Sequence, residues 1–230
     1  MVVFTPYDWQ EGIGNRAQYI EGKLAQGAPV LAVSLTEGIL VFTYRRQVRK
    51  IFEIYDRIIY AGIGQQSDVE AIRMAALEFA SKEAFNRSDE DVNVQRVATA
   101  LSAPLKKAFS DFSTSPVVAR SLFGEVGVSP AEDLYYVVDY DGDFSTLRNR
   151  AVVTGTGTDT ESALNKLSDL AGATVDEAMA ALTDIWLAVA DPESEKGEEE
   201  AKRGLSPEAV LLERSDVRDN RFRLLTPEEF

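Results

Sequence analysis

The sequence predicts a single-domain α+β fold, a four-layer α-β-β-α sandwich, and three observations predict it. Helix-start signals come in two adjacent pairs, Ser67 with Glu70 and Ser88 with Asp91, then Thr158 with Glu161 and Thr174 with Glu177. Each is a hydroxyl that can cap a helix, with an acid three residues on that can close the box. Short β-branched and aromatic runs occupy the chain around and between these pairs, and the turns joining them are tight. Strands joined so closely form antiparallel sheets, and an apolar sheet face must be covered, so two strand groups and two helix pairs stack as helix, sheet, sheet, helix.

Along the chain, Asn15 is a candidate N-cap and Gly27 a C′ residue for a first helix over 15–26, which leaves 1–14 as a separate N-terminal segment before a sandwich over 15–230. Four strand-like runs follow at 29–35, 39–44, 48–54 and 57–63. After Ser67, Val69, Ile72, Ala76, Leu77 and Ala80 recur at helical spacing; after Ser88, Val94, Val97, Leu101, Leu105, Ala108 and Phe112 do so, with a bend expected at Pro104. Runs at 117–128, 133–140 and 144–154 come next, the last two joined by the hairpin signal Asp141-Gly142. Leu164, Leu167 and Leu170 follow Thr158, and Ala178, Leu182, Ile185, Trp186 and Val189 follow Thr174. The stretch DPESEKGEEEAKRG at 191–204 has no apolar period and reads as an acidic mobile loop extending to 206, before two last runs at 208–214 and 221–225.

Composition narrows the chemistry. A chain of 230 residues, 45% of them apolar, can bury one substantial core. With no Cys and no His, thiolate or imidazole metal sites, Cys nucleophiles and Ser-His or Cys-His pairs are excluded. The formal charge of −14 repels phosphate backbones and anionic lipid, so neither nucleic acid nor membrane is an expected partner. No apolar stretch approaches the length of a membrane span, and MVVFTPYDWQ lacks the basic start of a signal peptide. Two motifs are set aside. In 155-GTGTDT-160 the third Gly and the Lys of a phosphate loop are missing, and 139-DYDGD-143 has its Gly one place early for a calcium loop, with Arg150 where the bidentate Glu belongs.

The stretches 16-RAQYIEGKLAQGAPVLAVSLTEGILV-41, 49-RKIFEIYDRIIYAGIG-64, 70-EAIRMAALEFA-80, 137-VVDYDGDFS-145 and 152-VVTGTGTDT-160 together resemble the alpha-type subunits of bacterial, actinobacterial-like proteasome core particles, which have the N-terminal nucleophile hydrolase fold. In the family's beta type, cleavage before a Thr frees a nucleophile whose own amine is the general base. The resemblance places Ala28 at that position, Pro29 beside it, Tyr44 where the beta type has an acid, and Lys50 at the strand lysine. With no hydroxyl at residue 28, the expected role is a non-catalytic subunit, with no cofactor or metal.

The same resemblance implies further roles. The N-terminal helix would contact a neighbouring copy in a seven-membered ring, through Arg16, Tyr19 and Lys23. Val2, Val3, Phe4 and Tyr7 would pool over an axial pore as an apolar gate, the alternative being a frayed terminus. Gly64 and Gln65 fall where alpha rings hold the C-terminal tail of a ring ATPase activator, with Gln65 in place of the usual lysine; the alternative is an ordinary exposed loop residue. Beta-type subunits, further copies of the chain and an ATPase activator are the implied partners, in the cytoplasm, where the complex degrades proteins. Two rivals remain: an active N-terminal nucleophile peptidase using another residue, and a ring-forming or ligand-binding adaptor that has lost catalysis.

Overall fold

In the computed structural model, residues 6–155, 160–193, 197–215 and 220–226 are described, and they form two five-stranded antiparallel sheets flanked by helices. The first sheet has the order β10-β9-β2-β1-β8, from Phe222–Leu224, Ser206–Glu213, Gly38–Arg45, Val30–Ser34 and Arg150–Val153. The second runs β3-β4-β5-β6-β7, from Ile51–Tyr55, Ile58–Gly64, Ala119–Glu125, Leu134–Val138 and Phe144–Arg148. Alternation along β1 explains the layering: Val30 and Ala32 face the second sheet, while Leu31 and Val33 face α4 (Thr160–Ser168) and α5 (Val175–Ala190). Helices α2 (Gln66–Asn86) and α3 (Val94–Ser110) cover the other sheet through Val69, Ile72, Val97 and Leu101. The four-layer sandwich is therefore borne out, and because β1 and β2 are covered on both faces they read as continuous apolar runs.

Several expected boundaries move, each for a local reason. The first helix, α1, spans Pro6–Leu24, so it begins before the expected Asn15, which is an exposed mid-helix residue. Ser67 lies inside α2 because Glu70 is held by Arg73 at 2.9 and 2.5 Å and Gln65 becomes the capping position. Ser88 and Asp91 close only a short 3-10 turn, and α3 starts at Val94, where the side chain of Asn93 accepts from the Arg96 amide at 3.0 Å. Thr174 and Glu177 form the expected capping box, whereas Thr158 lies outside the described residues. The single run at 144–154 becomes two strands in different sheets, broken at Asn149, whose φ is 66°. Within the acidic stretch, α6 (Gly197–Ala201) forms a short helix, with Lys202 paired to Glu198 at 2.6 Å.

Two contacts join the layers at their ends. At one end Asp133, fully buried between β5 and β6, accepts from both terminal nitrogens of Arg214 at 2.7 and 3.0 Å. Arg214 also donates to the carbonyls of Leu35, Thr36 and Gly127, so one guanidinium ties the β1-β2 turn to the other sheet. At the other end α1 caps the space between the sheets with Ile20 and Leu24. A Cβ on Gly155 would lie 1.6 Å from the Leu24 carbonyl oxygen, so glycine is needed for that approach. The hairpin at Asp141-Gly142 is as expected, and Gly142, at φ 86°, also lets it rest on the Ser102 carbonyl of α3.

Candidate functional site

The position that would carry a nucleophile lies where α1 hands over to β1. The Gly27 amide donates to the Leu24 carbonyl at 2.8 Å, which closes the helix end just before Ala28. Residue 28 ends in a methyl group, so the hydroxyl that N-terminal-threonine chemistry requires is absent from this residue.

The surrounding groups are engaged in holding the backbone. Lys50 donates from its ammonium to the Ala28 carbonyl at 2.5 Å and to the Thr43 hydroxyl at 3.3 Å. Thr43, fully buried on β2, donates in turn to the Pro29 carbonyl at 2.6 Å, and the indole N–H of Trp186 reaches the same oxygen at 2.9 Å. Burial pushes the Lys50 ammonium down to about pKa 7, against the opposing attraction of Glu208. Glu208, itself buried, accepts from the backbone amide of Lys50 at 2.9 Å and pairs with Arg49 at 3.3 Å and Arg45 at 3.5 Å. Tyr44 does not take an acid's part: its ring packs on Trp186 at 4.4 Å and on Phe42 at 5.5 Å, towards α5.

Ala28 and Lys50, which the resemblance singles out, are thus in contact, and Tyr44 is turned away. Thr43, Trp186 and Glu208 were not foreseen; an acid in the apolar run of β9 is the one signal that pointed to any of them.

The other expected residues divide. Val2, Val3 and Phe4 lie outside the described residues, and Tyr7, 77% exposed, sits in the first turn of α1 rather than in a free segment. Arg16 is used within the chain, donating to the carbonyls of Ala108 and Thr114 at 3.1 Å each. Tyr19 and Lys23 remain exposed side by side, the ammonium 5.8 Å from the ring centre. Gly64 and Gln65 are exposed at the junction of β4 and α2. Gly64 has φ 127°, and a Cβ there would lie 2.1 Å from the Val118 carbonyl oxygen, while the Gln65 amide donates to that oxygen at 2.8 Å.

A covered double sheet with a strand lysine directed at the start of β1 defines the class: a four-layer sandwich of the N-terminal nucleophile type. The proteasome subunit family model matches residues 24–199, and the chain belongs to the proteasome subunit family. Several similar relatives are proteasome alpha subunits. The chain is 31% identical to a proteasome subunit alpha of Jonesia denitrificans over 225 residues, 95% of this chain and 91% of that one. It is 28% identical to the proteasome subunit alpha of Thermobifida fusca, covering 87% of this chain and 78% of that one. A third, from a Nocardioides species, is 27% identical over 93% of this chain and 82% of its own.

Proposed function

We propose that this chain is a non-catalytic alpha-type subunit that forms the outer ring of a bacterial proteasome core particle with copies of itself. The ring stacks on catalytic beta-type subunits in the cytoplasm. The observation that carries the reading is the Gly27-Ala28 junction, which has a helix before it, a methyl group at the reacting position, and the family lysine engaged by a backbone carbonyl. Such a subunit contributes a wall, an entry gate and a docking surface rather than a reacting group. In this reading Val2, Val3, Phe4 and Tyr7 serve as the gate, Arg16, Tyr19 and Lys23 meet the next copy, and Gly64 and Gln65 receive the carboxyl tail of an ATPase activator.

The test is native mass spectrometry of the chain alone and after co-expression with the beta-type subunit of the same genome, with a fluorogenic peptide assay on each sample. A large mixed assembly that hydrolyses peptide while this chain keeps its Met1 or Val2 end supports the reading. A chain that ignores the beta subunit points instead to an adaptor, and a chain newly shortened to a Ser or Thr points to a peptidase.

A further inference from the structure

The two halves of α1 are held to the body in different ways. After Asn15, Ile20 and Leu24 are fully buried in the central layer, Glu21 pairs with Arg120 at 2.9 Å, and Arg16 is fixed by the Ala108 carbonyl of α3 and the Thr114 carbonyl beyond it. Before Asn15, residues Tyr7 to Glu11 are all exposed. This half meets the body at Phe112, whose ring receives Trp9 edge-on at 5.1 Å between centroids. The Arg16 guanidinium lies 5.5 Å from the same ring, so Phe112 has one partner on each half of the helix.

Between the halves stand Gly12 and Gly14. Gly12 has a packing reason, because a Cβ there would lie 3.1 Å from the Phe112 ring. Gly14 has none: no atom lies within 4 Å of where its Cβ would be. A mid-helix glycine that packing does not require weakens the helix at that point and keeps the backbone able to leave it.

We propose that residues 6–14 are a releasable arm, hinged at Gly12–Gly14 and latched to the body by Trp9 against Phe112. Release costs little burial, because Tyr7 to Glu11 are already exposed and Ile13 is half-buried, and Arg16 keeps Phe112 in place for relatching. The proposal concerns this chain alone and stands whether or not the N-terminal residues gate a pore.

Hydrogen exchange on the full chain, read by mass spectrometry, tests it by comparing the amides of residues 10–14 with those of 20–24. The wild-type arm amides exchange faster. Trp9→Ala and Phe112→Leu each accelerate them about three- to tenfold, the range expected for one aromatic contact, and leave 20–24 unchanged. Gly14→Ala slows them about fivefold. Arm amides that ignore both Trp9→Ala and Phe112→Leu would reduce the behaviour to end fraying and overturn the latch. Acceleration of both halves together would show one rigid helix, and would overturn the hinge.

Discussion

The Lys50 ammonium donates to the Ala28 carbonyl at 2.5 Å, and it does so with its pKa lowered to about 7 by burial. A lysine whose folded pKa lies below its unfolded value of 10.5 binds its proton more readily when the chain is unfolded. Stability therefore rises with pH between about 7 and 10.5, by of order 2–5 kcal/mol for this group, and is indifferent to it below pH 7. Burial raises the phenols of Tyr60, Tyr135 and Tyr140, so unfolded chains lose those protons first and stability falls again above about pH 10. Urea denaturation at pH 7, 8, 9 and 10 should show the rise in the wild type and a flat profile in Lys50→Met.

Placing a hydroxyl at residue 28 should not create a peptidase. Ala28→Thr in the full-length chain leaves the nitrogen of residue 28 in a peptide bond and Lys50 on the adjacent carbonyl. A fluorogenic peptide assay on the isolated variant is expected to read background; turnover above background would show that an internal amide suffices here.

Asp133 and Arg214 form a buried pair, with Arg214 donating to three further carbonyls. Asp133→Ala strands the guanidinium and is expected to cost about 3–5 kcal/mol, while Asp133→Leu with Arg214→Met costs less. Denaturant midpoints of the two variants decide between these outcomes. Equal losses would mean that the carbonyl contacts, rather than the pair, matter most.

Gly155→Ala forces a Cβ onto the Leu24 carbonyl, 1.6 Å away in the present geometry. The helix end or the β8 end must move, at roughly 2 kcal/mol or more. The loss should appear as faster exchange in residues 20–24 and, if α1 lies between copies, as smaller species in native mass spectrometry.

Gln65→Lys should raise affinity for a peptide ending in a free carboxylate by about tenfold, since a charge-assisted hydrogen bond exceeds a neutral one by about 1–1.5 kcal/mol. The gain should fade as salt is raised. Titration of the activator's C-terminal peptide onto the assembled particle measures it; unchanged affinity would place the carboxylate elsewhere.

Apolar pattern was legible because burial enforces it. Leu31, Val33, Leu40 and Phe42 had to be apolar to face α5, and Val69, Ile72, Val97 and Leu101 to face the second sheet. What escaped were choices decided by partners distant in sequence. Glu70 could have closed a capping box and instead serves Arg73. Nothing local marks Asn149 as the corner between sheets, because its left-handed turn is imposed by β7 and β8 pairing with different neighbours. Of the site, Ala28 and Lys50 could be placed by resemblance, whereas Glu208 is separated from Lys50 by 158 positions and becomes visible only when β9 closes on β2.

The two sheets also differ in when they can exist. The second is a meander of consecutive strands, β3 to β7, complete once residue 148 has been synthesised. The first draws its strands from both ends of the chain, and its edge strand β10 ends at Leu224. During synthesis from the N-terminus, α1, β1 and β2 must wait through most of translation with their apolar faces uncovered, since β8 and β9 follow so late. Newly made chains are therefore at greatest risk of aggregation in the interval before β9 arrives, and truncation within β9 should leave a half-built particle wall for chaperones to hold rather than a smaller stable domain.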